Sequence, residues 1–467
     1  MQGTGCEEFQ SLTRRRLLQA GGVGLSSLGL QPLLSPVSLF ASSVTGVATS
    51  GGIASNGLGR AKRCLLLFMW GGPSQLDTWD PKPQAPLEVR GEFGAIHTNV
   101  PGIDVCETLP LLAKHADKYA IIRSVNHDDP AHLSSVHHLM TGQLAPRVKS
   151  DADPPSRKDT PSLGSVLARQ SPSTGLMPPF VSMPWTVMHP AAPGGTAPGQ
   201  NGGWMGPAFD PFLIQGDPNA GDFAVSGLSL SPGMTAERML SRRQLQNILE
   251  LSNRNPEASV FGQLQSQAAE MLTSIRVQNA FNLDQESTQT RDHYGRHIHG
   301  QCLLLARRLL EAGTKCVCVN WHQDHASFWD THGDNFNGLK NRLAPPADRG
   351  FAALLEDLSQ RGLLEDTLIT WVGEFGRKPQ ITAANAGREH WPSCYSAVMA
   401  GGGIQGGQIY GKSDRLAAYP VENPVSPADL TATMYHALGF PAETTLTMPE
   451  GRPVPLTAGQ PVTSLFS

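Results

Sequence analysis

The 467-residue sequence predicts an α/β fold built on a largely parallel sheet, and three observations carry that prediction. Short continuous apolar runs of strand length end in loops, which is how strands buried on both faces read. Segments with helical spacing alternate with those runs, as they do where crossover helices join parallel strands. The 49 glycines and 37 prolines supply the long loops on which such sheets carry their sites.

The elements follow in order. Cys64-Leu65-Leu66-Leu67-Phe68-Met69-Trp70 ends in Gly71-Gly72-Pro73 and reads as the first core strand. Leu109 to Tyr119 has helical spacing, and Ala120 to Val125 returns to a strand. Residues 143–235 are dense in Pro, Gly and Ser and read as an insertion wandering over the surface. Ala236 to Arg254, Ala258 to Ile275 and Gly300 to Ala312 read as helices, the last leading into the strand Lys315 to Asn320. Asp348 to Arg361 is helical, Asp366 to Val372 and Tyr395 to Met399 are strands, and a helix from Pro427 to Leu438 is capped near Ser426.

The first 45 residues read as a targeting segment rather than a fold element. Thr13-Arg14-Arg15-Arg16-Leu17-Leu18-Gln19 precedes a mildly apolar stretch from Ala20 to about Ala41. Paired arginines followed by two leucines resemble a twin-arginine signal. The mature chain is therefore expected in the periplasm or outside the cell, with the twin-arginine translocase as a partner during export. Pro32 and Pro36 interrupt the apolar stretch, which counts against a membrane anchor of about 18 or more apolar residues.

A hydrophobic content of 39% suffices for a large core, and the net charge of −4 gives no electrostatic case for nucleic acid. Seven cysteines, none in a CxxC pair, leave room for one or two disulfides in an oxidising compartment.

Four loops after predicted strands hold the chemistry-bearing residues. The first offers Asp77 and Asp80. The second, from Asn126 to Gly142, contains four histidines, among them His132, with Ser134 and Ser135 close by. Trp321-His322-Gln323-Asp324-His325 and Asp330-Thr331-His332 form the third, and Glu374, Arg377, Arg388, Glu389 and His390 the fourth. Imidazole and carboxylate from separate loops suit a divalent ion such as zinc, manganese or calcium. His137 and His138 are expected to begin a helix and are left out, and Asp128 and Asp129 read as turn residues. Arg377 has two readings, a clamp for a tetrahedral oxyanion or an ion pair with Glu374 or Glu389.

At these loops the chain resembles the family called domain of unknown function 1501, in the alkaline phosphatase and sulfatase superfamily. The resemblance rests on the twin-arginine start, Gly71 through Pro83, His132 through Gly142, Trp329 through His332, Glu374 through Arg377, Gly387 through Pro392 and Ala400 through Gly403. It implies an α/β/α sandwich, a single domain over 60–467, and one or two divalent ions held by Asp77, Asp80, His132, Asp330, His332, Glu374 and His390. It also implies hydrolysis of a sulfate or phosphate ester, on a small molecule or a polysaccharide.

Similar enzymes place a nucleophile ten residues before the Gly of a Thr-Gly pair, and here that position is His132, with Ser134 out of register. No cysteine lies in a Cys-x-Pro-x-Arg motif, so a formylglycine sulfatase is not expected. The catalytic expectation therefore falls on His132, Ser134 and Arg377. The competing expectation is a non-catalytic periplasmic binding or assembly protein with a degenerate site.

Overall fold

The computed structural model describes residues 57–170, 175–189, 195–228, 233–250, 265, 268–321 and 328–467. The leader predicted for residues 1–45, and His322, Asp324 and His325 of the third loop, lie outside the described residues. The helix predicted over 258–275 falls partly outside them.

Five consecutive residues of β1 (Arg63–Phe68), Cys64 to Phe68, are all buried. Because neighbouring side chains of a strand point to opposite faces, such a run means that the sheet is covered on both sides. That is the α/β/α sandwich. The other strands of the eight-stranded central sheet are β2 (Tyr119–Val125), β3 (Phe180–Met183), β4 (Phe212–Leu213), β5 (Cys316–Asn320), β6 (Thr367–Val372), β7 (Tyr395–Ala400) and β8 (Gln408–Tyr410). Their order across the sheet is β8-β2-β7-β6-β1-β5-β3-β4. Strand β7 runs against both its neighbours, and every other pairing in the sheet is parallel.

Helices α1 (His132–Thr141), α2 (Leu163–Gln170), α3 (Ile298–Ala312), α4 (Ala344–Gln360) and α5 (Pro427–Ala437) flank the sheet, with α1 against α5 and α3 against α4. Helix α5 starts as its sequence requires. The Ser426 side chain accepts from the Asp429 N–H, Asp429 returns the bond to the Ser426 N–H, and Pro427 takes the first helical position, where its missing N–H costs nothing.

Three expectations change. The Pro/Gly-rich region at 143–235 is not only surface, because it supplies α2 and two sheet strands, β3 and β4, with β3 in register beside β5. Its strands are too short, at four residues and two, to rise above the surrounding breakers in sequence. Helix α1 begins at His132, five residues ahead of the expected start at His137, and every one of its residues is buried. All six described cysteines are free and buried, so burial in the core, and not cross-linking, accounts for them.

The sheet directs the site. Strands β1, β2, β5 and β6 all end at one edge, and antiparallel β7 begins there. The loop from β6 to β7 thus leaves and returns at the edge where ligands bind in open α/β sheets.

Candidate metal centre

Loop crossings at this edge depend on two glycines. A Cβ on Gly71, which follows β1 with φ +102°, would lie 2.3 Å from the Asp330 nitrogen. A Cβ on Gly387 would lie 1.7 Å from the His332 carbonyl oxygen. Glycine alone lets the Asp330–His332 segment lie between the β1 loop and the β6–β7 loop. Within the latter, Gly376–Arg377 and His390–Trp391 pair as a short antiparallel ribbon that brings His390 back toward Asp330.

Three imidazoles converge on one carboxylate. His390 Nε2 is 3.2 Å and His332 Nε2 3.0 Å from Asp330 Oδ1, and His132 Nε2 is 3.5 Å from Asp330 Oδ2. Ligand atoms of His132, Asp330 and His390 all lie within 4.8 Å of one another. His332 Nε2 stands 2.9 Å from His390 Nε2.

The far nitrogen of each ring is tied to a group that can only accept. His132 Nδ1 is 2.6 Å from Glu374 Oε1, His332 Nδ1 is 2.5 Å from Glu389 Oε2, and His390 Nδ1 is 2.8 Å from the Pro130 carbonyl oxygen. Each Nδ1 must then carry the proton, and in a neutral ring that leaves the Nε2 lone pair turned toward Asp330. Two such lone pairs facing each other at 2.9 Å need a proton or a cation between them. Histidines oriented by an outer carboxylate or carbonyl are the usual support of a metal site.

Electrostatics follow from the same contacts. Burial alone would lower the His132 pKa, but its bonds to Asp330 and Glu374 outweigh that and push it up to about 9. Burial alone would raise Asp330, yet its bonds to His132, His332 and His390 and the charge of Arg377 hold it far below the usual carboxylate range. His390 is lowered chiefly by burial, whereas His332 is raised chiefly by its bond to Asp330. The Asp330 and His332 side chains keep 18% and 43% of their exposure, so the cluster opens to solvent on their side.

Of the residues expected from sequence, His132, Asp330, His332 and His390 meet here. Glu374 is adjacent but stands behind His132, with its carboxylate also accepting from the Gly71 N–H at 3.0 Å. Asp77 and Asp80 are not brought to the cluster. Asp77 is fully buried against Arg388, 2.7 Å from its Nε, and accepts from Asn335 at 3.0 Å. Asp80 is paired with Lys82 at 2.9 Å and Arg123 at 3.3 Å, and accepts from the Ser413 hydroxyl.

Arg377 pairs with Asp330, not with Glu374 or Glu389. Its nitrogens also donate to the carbonyls of Gly71, Gly72 and Arg388, so it holds Asp330 in place and is not turned to an oxyanion. The Ser134 hydroxyl accepts from the Ser150 N–H at 3.2 Å, and Ser135 donates to the Asp129 carbonyl at 2.9 Å. His137 and His138 are buried in α1 and pushed down to about 4 by burial. Asp129 accepts from the Ala131 and Lys149 N–H groups, the turn role expected of it.

Sequence reading missed three contributors. Glu389 was expected only as a partner of Arg377, and a backbone carbonyl such as that of Pro130 leaves no trace in residue identity. His189 sits in the Pro/Gly-rich region, yet its ring centroid is 5.2 Å from that of His132.

A family model described as "Protein of unknown function (DUF1501)" matches residues 61–466. The chain belongs to that family. No curated protein matches this DUF1501 chain in sequence. Among solved structures it is similar to a sulfatase from Pseudoalteromonas sp., at 13% identity over 87% of this chain and 72% of the other, with a TM-score of 0.38. It is also similar to a phosphonate monoester hydrolase from Silicibacter pomeroyi, at 11% identity over 87% and 76%, with a TM-score of 0.34. A third is the C-terminal periplasmic domain of EcEptC from Escherichia coli in complex with Zn, at 11% identity over 82% and 83%, with a TM-score of 0.33.

Proposed function

We propose that this DUF1501 protein is an exported, metal-dependent hydrolase of sulfate or phosphate esters, acting on a small molecule or a polysaccharide outside the cytoplasm. The observation that carries the metal is the set of three imidazoles, each with Nδ1 anchored and Nε2 turned to Asp330. Three nitrogens and one carboxylate fit zinc or manganese. They do not suit calcium, which takes six to eight oxygens. Export rests on the arginine-leucine start of the sequence.

A divalent cation held by His132, Asp330, His332 and His390 would supply positive charge and Lewis acidity toward an ester oxygen. The chain's own residues prepare that position. Glu374 and Glu389 fix the tautomers of His132 and His332, Arg377 keeps Asp330 ionised and immobile, and Trp70 and Phe375 wall His132 with apolar rings 4.9 and 4.8 Å away. Excluding water on that side strengthens every polar interaction made there. The Ser134 hydroxyl accepts from the Ser150 N–H and the Ser135 hydroxyl donates to the Asp129 carbonyl, and this favours water over either serine as the nucleophile.

Elemental analysis of the folded protein, purified without chelator or metal-binding tag, tests the reading, followed by a screen of aryl sulfate and phosphate esters. A stoichiometric transition-metal ion and ester turnover abolished by chelation are expected. A metal-free folded protein that takes up none on dialysis sinks the hydrolase and leaves the binding or assembly protein.

A further inference from the structure

We propose that His127 is a positioning residue of the metal centre, the side chain that sets His132 and His390 relative to each other, an assignment that rests on the metal-dependent reading above. These two imidazoles come from different loops, and so do the groups that hold their Nδ1 atoms. Glu374, in the loop after β6, holds His132, and the Pro130 carbonyl, in the loop after β2, holds His390. The support is crossed, each loop carrying the partner of the other loop's histidine. Ligands anchored in this way keep their spacing only while the two loops keep theirs.

His127 fixes that spacing through both nitrogens of its ring. Its Nε2 lies 2.8 Å from the Glu374 carbonyl oxygen, which can only accept, so Nε2 carries the proton. Its Nδ1 accepts from the Asp129 N–H at 3.2 Å. One neutral tautomer satisfies both bonds at once. The first bond holds the main chain of the residue whose carboxylate holds His132. The second holds the turn just before Pro130, whose φ is fixed by its own ring, so the placement of Asp129 carries over to the Pro130 carbonyl. The His127 main chain adds a third tie, its N–H donating at 2.9 Å to the carbonyl of Pro392, two residues beyond His390.

The turn itself is braced by other bonds. The Asp129 carboxylate accepts from the Ala131 N–H at 3.0 Å and the Lys149 N–H at 2.8 Å, and its carbonyl accepts from the Ser135 hydroxyl at 2.9 Å. Those contacts shape the β2 loop, whereas the His127 ring joins it to Glu374. The ring also stands edge-on to Tyr395, 5.7 Å between centroids and 88° between planes. Packing on Tyr395 needs only a flat ring, but positioning needs the two nitrogens, and that difference separates the roles. A binding constellation has to be held within about 0.5 Å of its working geometry, so a loosened crossing reaches both ligands together.

The test measures zinc affinity by competition with a chelating dye, and the visible bands of the cobalt-loaded protein, which follow ligand geometry. His127→Phe keeps a ring against Tyr395 and loses both bonds. It should bind zinc at least about tenfold more weakly, the usual effect of losing an outer partner, and its cobalt bands should shift. His127→Gln returns an N–H donor for the Glu374 carbonyl, His127→Asn returns an oxygen acceptor for the Asp129 N–H, and each should recover part of the affinity. Circular dichroism of the metal-free proteins checks folding. If His127→Phe does not fold, the Gln and Asn variants carry the comparison, and each, short of one bond, should bind zinc more weakly than the wild type. Wild-type zinc affinity or unshifted cobalt bands in the folded variants overturn the proposal. So does a loss in His127→Phe that neither amide relieves, which would make the ring a packing group. If the wild-type protein takes up neither ion, the metal-dependent reading fails and the His127 assignment falls with it.

Discussion

Two sets of carboxylates lie among the loops at the C-terminal end of the sheet, and they differ in what faces them. Asp77 and Asp80, in the loop after β1, meet guanidinium and ammonium groups that stay charged at any physiological pH. Asp330 meets one guanidinium and three imidazoles, which can give up a proton and offer a lone pair instead. The first set is already neutralised by the protein. The second, once its imidazoles are neutral, turns three lone pairs toward one carboxylate. A carboxylate becomes a candidate ligand through its neighbours' ability to lose a proton, and not through its own acidity.

The sharpest way to break this comparison is to remove Asp330. Asp330→Ala should abolish stoichiometric metal binding and ester turnover together, because the three imidazoles lose the anion on which they converge. Arg377 would also be left as a buried charge short of its partner, so circular dichroism should accompany the elemental analysis. If folded Asp330→Ala retains its metal, the centre is elsewhere.

Asp77→Ala is the matching experiment on the other set. It strands Arg388, which is fully buried, and breaking a buried pair from one side costs about 3–5 kcal/mol. The expected result is a large fall in thermal stability, with unchanged metal content in whatever remains folded. A stable Asp77→Ala protein that has lost its metal would reverse the assignment of the two sets.

A smaller effect is expected from the carboxylates behind the imidazoles. Glu389→Gln can still accept from His332 Nδ1 but no longer carries the charge that makes the ring a better donor. Changes to such outer partners typically weaken metal affinity by about 10–100-fold. Competition against a chelating dye would measure it. An unchanged affinity would remove His332 from the ligand set and leave His132, Asp330 and His390.

How much of this was legible in the sequence follows from the same physics. The strands were readable because burial on both faces forces continuous apolar runs, as in Leu65-Leu66-Leu67-Phe68. Strands β3 and β4 were not, because four residues and two between prolines and glycines carry no periodicity. His132, Asp330, His332 and His390 were readable as residue types in loops after strands. The separate fates of Asp77 and Glu374 were not, because a carboxylate looks the same whether an arginine, an imidazole or a cation will face it. His189 was hidden for a further reason. Its place beside His132 depends on a chain held through the Trp185 carbonyl by Asn320, a contact made across more than a hundred residues.

A third kind of carboxylate extends the comparison to its mildest case. Asp348, on α4, is buried and accepts from two backbone groups, the N–H of Leu111 at 2.9 Å and of Leu112 at 2.8 Å. Burial raises its pKa and those two bonds offset it only in part, leaving it at about 6, in the direction opposite to Asp330. Its folded value thus lies above the unfolded one, so the folded state binds the proton more tightly. The resulting stabilisation is complete below the unfolded pKa of roughly 4 and is lost as pH rises through about 6. The contribution should grow by about 1 kcal/mol between pH 7 and pH 5. Asp348→Asn, which cannot titrate, should be less sensitive to pH by that amount, measured as the difference in unfolding free energy between variant and wild type at each pH. A difference independent of pH would show that the two backbone N–H groups already hold Asp348 as a carboxylate throughout, as the imidazoles and Arg377 hold Asp330.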